Sequence, residues 1–238
     1  MNQTAKILGV KIDIVSWDQI DQFCKNSLIQ AAPKMITTVN GEIILAASKS
    51  PEYKTVLNGA SLAIADSTNV VWIGRLKGYK FDKPTPGSEL LWRICQIAEE
   101  LKKSVYFLGG RDGAAEATAK IISEKYPNLE VAGYSEADPE DENIAKEIRR
   151  KNPDVVFVAY GAPKQELWIN KNKDIVTAKI MVGIGGTFDM VSGKFPRAPL
   201  WMRSMHLEWL WRFLLQPKRI FRIFKAVVVF PLKALFSR

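Results

Sequence analysis

The chain has 238 residues, 47% of them hydrophobic, which is enough for one large α/β domain with a sizeable core. Its two cysteines, Cys24 and Cys95, lie far apart in the sequence and its one histidine is His206, so the composition excludes a zinc site built from cysteine and histidine and argues against a disulfide framework. The N-terminus has no signal-peptide pattern and no apolar stretch approaches the ~20 residues of a membrane span, so we expect a cytosolic location.

The net charge of +9 lies in the C-terminal part of the chain. Residues 194–238 contain ten Lys or Arg and a single acidic residue, Glu208, whereas the charges of residues 1–193 cancel. This asymmetry predicts an anionic partner for the C-terminal segment, with membrane lipid, a phosphorylated substrate and nucleic acid as the alternatives.

Strand patterns and helix patterns alternate along the chain. Ser16 is predicted to be the N-cap of the first helix and Asn40 the N-cap of a later one. The strand patterns cover residues 7–15 (a strand or hairpin), 34–39, 61–66, the start of 104–127, 129–135, 155–160 and the start of 179–193. The helical patterns cover residues 17–28, 41–50, 67–76, 88–103, the end of 104–127, 138–152 and 164–173.

This alternation predicts a Rossmann-like α/β fold, in which a mostly parallel sheet has helices on both faces. The composition changes after Pro199, so we divide the chain into an α/β domain at residues 1–199 and a basic, amphipathic helical appendage at residues 200–238. The appendage is predicted to contain helices that are broken at Pro217 and again near Pro231.

Two predicted strands end in polar residues that suit a ligand site. Thr38 and Asn40 lie where a strand ends and a helix begins, so a hydroxyl, an amide and backbone N–H groups can converge on a ligand. Asp66 ends an apolar strand, where a partly desolvated carboxylate is suited to act as a general base. For Asn40 and Asp66 the alternative is simple capping of the helix that follows.

Two glycine pairs, Gly109-Gly110 and Gly185-Gly186, each follow a predicted strand and precede a helix. Glycine allows backbone N–H groups to approach a phosphate closely, and a helix N-terminus favours an anion. Neither pair belongs to a complete G-x-G-x-x-G or Walker loop, so neither indicates a dinucleotide or ATP.

A third turn runs from Gly161 through Pro163 to Gln165 after a buried strand. It is explained either as an ordinary tight turn or as a ligand site at the carboxyl end of a parallel strand. No Asp-x-Asp motif at a strand end is placed to hold a metal–nucleotide complex, and the acidic residues 138–142 are explained as solvated acids at a helix start.

The appendage mixes aromatic residues with Lys and Arg, as in PKRIFRIFKAVVVF at residues 217–230. This mixture favours an interfacial helix on anionic lipid, and an ordinary helix packed on the domain is the alternative. Nucleic acid is a weaker alternative because the body of the chain contains no recognisable nucleic-acid module.

Taken together and in this order, the segments TTVNGEIILAA, AIADSTNVVW, LGG after a strand, VAYGAPKQELWI, GIGGTFDMVSGKFPRAP and LEWLWRFLLQPKR resemble the WecG/TagA/CpsF glycosyltransferase family. The resemblance extends from about Ile7 to the QPKR segment, and its most specific parts are the GAPKQE block and the GGTFD…SGK…RAP block.

The resemblance implies an inverting bacterial glycosyltransferase that needs neither metal nor cofactor and acts peripherally at the cytoplasmic face of the cell membrane. It implies transfer of N-acetylmannosamine or its uronic acid from a UDP-sugar to a polyprenyl-diphosphate-linked GlcNAc, in synthesis of a cell-surface polysaccharide or teichoic acid. The implied catalytic carboxylate is Asp66. The residues implied to contact substrates are Thr38, Asn40, Gln165, Arg212, Arg219 and Arg222.

The chain departs from the family pattern at two positions. Ser67 follows Asp66 where members usually have glycine, and Pro84 stands near the position of an expected arginine. The sugar therefore stays open, with a glucosyl or glucuronosyl donor as the enzymatic alternative and a basic nucleotide- or nucleic-acid-binding protein as the non-enzymatic one. The sequence also leaves open whether the chain forms a homo-oligomer and whether the appendage completes its own subunit's site or a neighbour's.

Overall fold

A computed structural model describes residues 3–30, 32–194, 198–199, 201–202, 205, 210–211, 214, 221 and 224–236. The chain begins with a hairpin of β1 (Gln3–Ile7) and β2 (Val10–Ile14), joined by Leu8 and Gly9, both with positive φ. Two consecutive positive φ values match the twist of a two-residue hairpin turn, and Gly9 adopts this conformation at no steric cost.

The main sheet has six parallel strands in the order β4-β3-β8-β7-β5-β6. Their bounds are β3 (Lys34–Val39), β4 (Leu62–Ala65), β5 (Ser104–Gly109), β6 (Glu130–Ser135), β7 (Val155–Ala159) and β8 (Ile180–Gly183). A parallel sheet requires crossover connections, and helices supply them here. The predicted Rossmann-like α/β fold is confirmed.

The helices of the domain are α1 (Trp17–Ile29), α2 (Gly41–Ala47), α3 (Pro51–Asn58), α4 (Thr68–Leu76), α5 (Gly87–Glu100), α6 (Ala114–Lys125), α7 (Ile144–Lys151), α8 (Lys164–Val176) and α9 (Thr187–Val191). Ser16 caps α1 and Asn40 caps α2, as predicted. Helix α3 was not predicted, although Ser50 as N-cap and Pro51 as its first residue are typical of a helix start.

Helix α7 begins at Ile144, six residues later than the predicted start at residue 138. Asp138 accepts a hydrogen bond from the amide of Glu140 at 2.9 Å, and Asp141 accepts one from the amide of Asn143 at 2.9 Å. These local bonds compete with helical ones, because a short acidic side chain offers the backbone an alternative acceptor.

Alternate residues of the strands pack on opposite faces of the sheet. On one face Phe107 and Phe157, stacked 5.5 Å apart, pack with residues of α1, α5, α6 and α9. On the other face Val156 and Met181 pack with residues of α7 and α8. A further core lies beside β4, where the β1–β2 hairpin packs with α2, α3 and α4.

The described end of the chain is a π-helical turn, Lys225–Val229, that continues into α10 (Phe230–Phe236). The predicted break near Pro231 is wrong, because helical structure continues through this residue. The π-helical turn offers a reason, since its wider spacing relieves the clash between a proline ring and the carbonyl of the preceding turn. The predicted break at Pro217 lies outside the described residues.

Phe230 anchors this helix on the domain. Its side chain is fully buried, and a Cβ atom added at Gly41 would lie 2.8 Å from Phe230 Cδ1. The last described helix therefore packs directly on α2, as in the alternative of an ordinary packed helix, although it also exposes apolar residues. None of the helices formed by the described residues is long and apolar enough to span a membrane.

Candidate functional site

A cleft of about 1060 Å³ lies along the carboxyl edge of the sheet. It is lined by residues from the loops after all six parallel strands, and by Ala226 and Val227 of the C-terminal helix. The carboxyl edge is where open parallel sheets bind their ligands. Most of the predicted site residues that the structure describes line this cleft: Thr38, Asn40, Asp66, Gly110, Gly161, Gln165, Gly185 and Gly186. Gly109 does not belong to the lining, and Arg212, Arg219 and Arg222 lie outside the described residues.

Asp66 directly follows β4 and is held by two neighbouring groups. Its Oδ1 accepts a 2.7 Å hydrogen bond from the amide of Gly87, and its Oδ2 accepts a 3.4 Å bond from Asn40 Nδ2. The N-cap position of α4 belongs to Ser67, whose side chain makes no capping bond. Asp66 is therefore not the N-cap residue of α4, the helix that follows it, and it binds an N-terminal amide of α5.

Asn40 uses both ends of its amide. Its Oδ1 accepts a 3.1 Å hydrogen bond from the amide of Ile43 and so caps α2, while its Nδ2 faces Asp66. The capping interpretation and the active-site interpretation thus both describe this residue. Because the cap fixes the orientation of the amide, Asn40 presents a donor to the carboxylate.

The segment between α4 and α5 is fastened to the end of β4. Thr85 donates from both its amide, at 2.7 Å, and its hydroxyl, at 3.1 Å, to the carbonyl of Ala65. Gly87 lies close to β3, since a Cβ atom added there would be 3.1 Å from Thr38 Cγ2. Gly87 was not identified as a site residue from the sequence. The signal that could have found it is the Pro86-Gly87 pair at the start of α5.

Thr38 and Gln165 connect neighbouring strand ends. The buried hydroxyl of Thr38 donates to the carbonyl of Gly183 at 2.9 Å, which links β3 to β8. Gln165 is 1% exposed, and its Oε1 accepts from the amides of Gly161 and Gly185, each at 3.0 Å. Direct contact of Gln165 with a substrate remains a prediction, while its role in joining two loops follows from these bonds.

Glu166 follows Gln165 in the sequence, and its side chain is fully buried. Its Oε1 accepts from Gln165 Nε2 at 2.7 Å and its Oε2 accepts from the hydroxyl of Tyr53 at 2.8 Å. Burial raises the pKa of the Glu166 carboxyl, although the two hydrogen bonds oppose the shift. Burial, followed by the nearby Glu166 carboxyl, raises the pKa of the Tyr53 hydroxyl.

The N-terminus of α6, after the Gly109-Gly110 turn, already holds an acceptor. The amides of Gly113 and Ala115 donate to the carboxylate of Glu136 at 3.1 and 3.2 Å. The amide of Gly110 donates to the carbonyl of Ala159. A phosphate at this turn would have to displace protein acceptors, and the phosphate-binding role of these glycines stays a prediction.

Cations in the cleft were not predicted from the sequence. Arg111, Lys164 and Lys194 line it, together with the acidic residues Glu42, Asp66, Asp112, Glu136, Asp138 and Asp189. Lys194 Nζ donates to the carbonyls of Arg111 and Asp112 at 2.9 and 2.7 Å and pairs with the Asp112 carboxylate at 3.6 Å. The SGK and PKQ segments around Lys194 and Lys164 were a signal for these cations, which can contact an anionic group of a ligand although acidic side chains outnumber them in the lining.

Two hydroxyls in the cleft lining, Ser67 Oγ and Tyr160 Oη, are buried and have no hydrogen-bond partner among the residues that the structure describes. Burial, with Asp138 as the next cause, raises the pKa of the Tyr160 hydroxyl, so it stays a neutral donor. Ser67 stands where the resembling family usually has glycine, so this hydroxyl is a group that the departure adds to the cleft. Among the described residues no three His, Cys, Asp or Glu side chains gather in a group that could hold a metal ion.

Comparisons with known proteins identify the family of this chain. Residues 5–238 match the model of a family described as the glycosyl transferase WecG/TagA/CpsF family. The chain is 35% identical over 201 residues to an N-acetylglucosaminyldiphosphoundecaprenol N-acetyl-beta-D-mannosaminyltransferase of Bacillus subtilis strain 168, covering 84% of this chain and 78% of the relative. It is 34% identical over 239 aligned positions to a protein of the same name from Staphylococcus aureus strain MRSA252, covering 98% of this chain and 93% of the relative.

Proposed function

Because the chain belongs to the WecG/TagA/CpsF glycosyltransferase family, we propose that it transfers N-acetylmannosamine or its uronic acid from a UDP-sugar to GlcNAc-diphosphoundecaprenol. The names of the bacillar and staphylococcal relatives support the acceptor and the transferred sugar. The observation that carries the proposal is the Asp66 carboxylate, held in the cleft between Asn40 and Gly87.

In the proposed reaction Asp66 acts as the general base. Its Oδ2 takes the proton of an acceptor hydroxyl, and the hydroxyl oxygen attacks the anomeric carbon of the donor sugar. The bond from that carbon to the UDP oxygen breaks as the new bond forms on the opposite side, which inverts the centre. The amide of Gly87, bonded to Oδ1 at 2.7 Å, and Asn40 Nδ2, at 3.4 Å from Oδ2, orient the carboxylate in the cleft.

The departing diphosphate requires positive charge, which we assign to protein groups rather than to a metal. Arg111, Lys164 and Lys194 lie in the cleft lining and support this assignment. Arg212, Arg219 and Arg222 are proposed to assist. Ala226 at the cleft rim is only four residues beyond Arg222 in the sequence, which supports a role for the appendage in the same site.

The C-terminal segment is proposed to hold the enzyme on the cytoplasmic face of the membrane. The described helix exposes several apolar side chains, and Lys225 and Lys233 are exposed on the same helix. An apolar face combined with cations favours reversible binding to anionic lipid. This attachment would bring the cleft to a lipid-linked acceptor.

The test is a UDP-release assay that pairs several UDP-sugars with a synthetic lipid-diphosphate-GlcNAc acceptor. UDP-N-acetylmannosamine is expected to give the highest rate, unchanged by excess EDTA. A higher rate with UDP-glucose or UDP-glucuronic acid would replace the proposed donor. Salt-sensitive binding of an oligonucleotide without binding of UDP would instead favour a nucleic-acid-binding protein.

A further inference from the structure

One amide oxygen fixes the spacing of two loops in the cleft. Gln165 Oε1 accepts from Gly161, in the loop after β7, and from Gly185, in the loop after β8, at 3.0 Å each. Both glycines line the cleft. If the Gln165 amide were turned over, its NH₂ group would face two N–H donors and neither hydrogen bond could form.

Glu166 selects the orientation that makes these bonds. Its Oε1 accepts from Gln165 Nε2 at 2.7 Å, and Tyr53 on α3 holds its Oε2 at 2.8 Å. Gln165 cannot retreat toward β8, because even a Cβ atom at Gly183 would lie 2.7 Å from its Nε2. The carboxylate acceptor and the tight packing thus leave one orientation of the amide.

We propose that Glu166 is a positioning residue that, through Gln165, sets the spacing of the Gly161 and Gly185 loops and so the affinity of the cleft for the donor's nucleotide diphosphate. This proposal rests on the proposed function for the identity of the ligand. Glu166 is fully buried and does not belong to the cleft lining. In the part of the chain that the structure describes it forms no ion pair. An unpaired buried carboxyl costs stability, so its use here is explained by orientation rather than by packing.

Three variants test the proposal, with UDP as the probe. Glu166→Gln keeps an acceptor for Gln165 Nε2, and the Tyr53 hydroxyl can accept from its NH₂ group, so the affinity for UDP should stay within about threefold of wild type. Glu166→Leu removes the acceptor and should weaken UDP binding about tenfold, the equivalent of one oriented hydrogen bond. The KM for the donor should rise more than kcat falls. Asn172→Leu, which removes another buried polar group of α8 away from the cleft, is the matched control.

Hydrogen exchange of the backbone amides gives a readout that does not depend on the ligand. In Glu166→Leu the amides of Gly161 and Gly185 should exchange about tenfold faster, whereas those of β5 should be unchanged. Tyr53→Phe should give a smaller increase in the exchange rate of the same two amides. This variant takes the place of Glu166→Leu if Glu166→Leu does not fold. Unchanged exchange in the loops, or equal losses in Glu166→Leu and Asn172→Leu, would refute the positioning role. If the wild-type protein does not bind UDP, the proposal that its substrate is a UDP-sugar is refuted. The hydrogen-exchange result then still decides whether Glu166 positions the two loops.

A separate observation concerns the outer surface of α4. Within the described part of residues 3–194, the large apolar side chains that are exposed are Ile29, Trp72, Leu76, Tyr134 and Ile175. Helix α4 carries two of them, Trp72 and Leu76, which are 56% and 55% exposed. Exposing a tryptophan and a leucine to water on one helix is unfavourable, so this pair indicates a surface that contacts something other than water.

This surface adjoins the C-terminal helix. Asn69, Trp72 and Leu76 are spaced i, i+3 and i+7 on α4 and share one face of it. Asn69 Nδ2 donates to the carbonyl of Ala226 at 3.1 Å, so this face meets the C-terminal helix. That helix exposes Phe224, Val228, Val229, Leu232, Leu235 and Phe236, together with Lys225 and Lys233.

We infer that Trp72 and Leu76 are a second contact with the lipid bilayer, which orients the cleft toward the membrane. The inference rests on the proposed membrane attachment. Anionic lipid is the partner that fits, because apolar side chains adjoin cations here and tryptophan favours the bilayer interface. Helix α4 starts two residues after Asp66, so this contact would hold the catalytic carboxylate at a fixed height above the acceptor diphosphate.

The test is flotation of full-length protein with vesicles that contain phosphatidylglycerol. The double variant Trp72→Glu/Leu76→Glu should bind about tenfold less than wild type, whereas Ile29→Glu/Ile175→Glu should bind normally, because the α4 variant loses two apolar contacts with the bilayer and gains two charges that anionic lipid repels. Turnover of a water-soluble acceptor should be unchanged in both. Normal vesicle binding by the α4 variant refutes the inference, and a loss of self-association in its place would identify a second copy as the partner. Absence of binding by wild type would refute the membrane attachment itself.

Discussion

The amide of Gly87 donates a 2.7 Å hydrogen bond to Asp66 Oδ1, which joins the start of α5 to the end of β4. The carboxylate therefore lies at a helix N-terminus, where the helix dipole and a free N–H group favour negative charge. Its other oxygen faces Asn40 at 3.4 Å and the cleft. This arrangement anchors the carboxylate in the lining of the cleft, where the proposed general base is required.

Replacement of this carboxylate is the most direct test of its role. Asp66→Asn keeps an oxygen that can accept from Gly87, so the fold and UDP binding should be retained. Turnover should fall ~10²-fold or more because an amide cannot take a proton. The measurement is steady-state UDP release, with Asp13→Asn, a buried aspartate outside the cleft, as the control. Near-normal turnover in a folded Asp66→Asn variant would exclude Asp66 as the base.

Asn40→Asp separates the two roles of Asn40. Aspartate caps a helix as well as asparagine does, so the thermal midpoint should fall only by the cost of the repulsion from Asp66. The donor to Asp66 becomes a second acceptor, and repulsion between two carboxylates should disturb the base and lower turnover about tenfold or more. Melting curves and turnover are measured on the same samples. Full activity would show that the hydrogen bond from Asn40 to Asp66 is dispensable.

Gly41→Ala tests whether the C-terminal helix must dock on α2. The added methyl group would lie 2.8 Å from Phe230 Cδ1, so Phe230 has to move out of its buried site. Exposing a phenylalanine costs about 2 kcal/mol, which should release the helix to proteases and reduce turnover. Limited proteolysis with mass spectrometry locates the cuts. Gly59→Ala, where the new atom meets only ordinary contacts at 3.4 Å, should behave as wild type.

The exposed side of the same helix can be changed without disturbing Phe230. Leu232→Glu/Leu235→Glu replaces two exposed apolar side chains by charges that anionic lipid repels, and should reduce binding to anionic vesicles about tenfold while the protein stays folded. A chain that ends at Gln216 is a less clean test, because it also removes the buried Phe230 from the core beside β4. Unchanged flotation of the double variant would mean that this helix does not contact lipid.

Asp154 provides a contrast at the amino edge of the sheet. It pairs with Lys179 at 2.9 Å and accepts from the amide of Ser104 at 3.1 Å. Burial alone would raise the pKa of the Asp154 carboxyl, but the bonds from Lys179 and Ser104 outweigh it and the pKa is lowered. Because the folded-state pKa lies below the unfolded one, the stabilisation is present above about pH 4 and is lost as the pH falls through the folded-state pKa.

Asp154→Asn should therefore lower the free energy of unfolding by about 1 kcal/mol at neutral pH, and the difference should shrink in acid. Turnover should be unchanged, because Asp154 lies at the opposite edge of the sheet from the cleft. Denaturant unfolding at several pH values measures the effect. A difference from wild type that stays constant down to pH 3 would contradict the lowered pKa.

Much of this protein was determined by local sequence. The apolar strands, the caps at Ser16 and Asn40 and the glycine turns follow from periodicity and backbone sterics, which act over a few residues, and the structure confirms them. Asp66 and Thr38 were predicted as site residues because each lies where an apolar strand ends. The family also followed from short motifs, and the comparisons confirm it.

Only the tertiary structure decided which groups meet. The contact of Gly87 with Asp66 joins residues 21 positions apart and that of Gln165 with Gly185 joins residues 20 positions apart, and their pairing depends on strand order. The same holds for Tyr53 with Glu166, 113 residues apart, and for the burial of Phe230 on α2. Local patterns show which residues are suited to a site or a surface, but packing determines which of them face the ligand and which serve to hold the others in place.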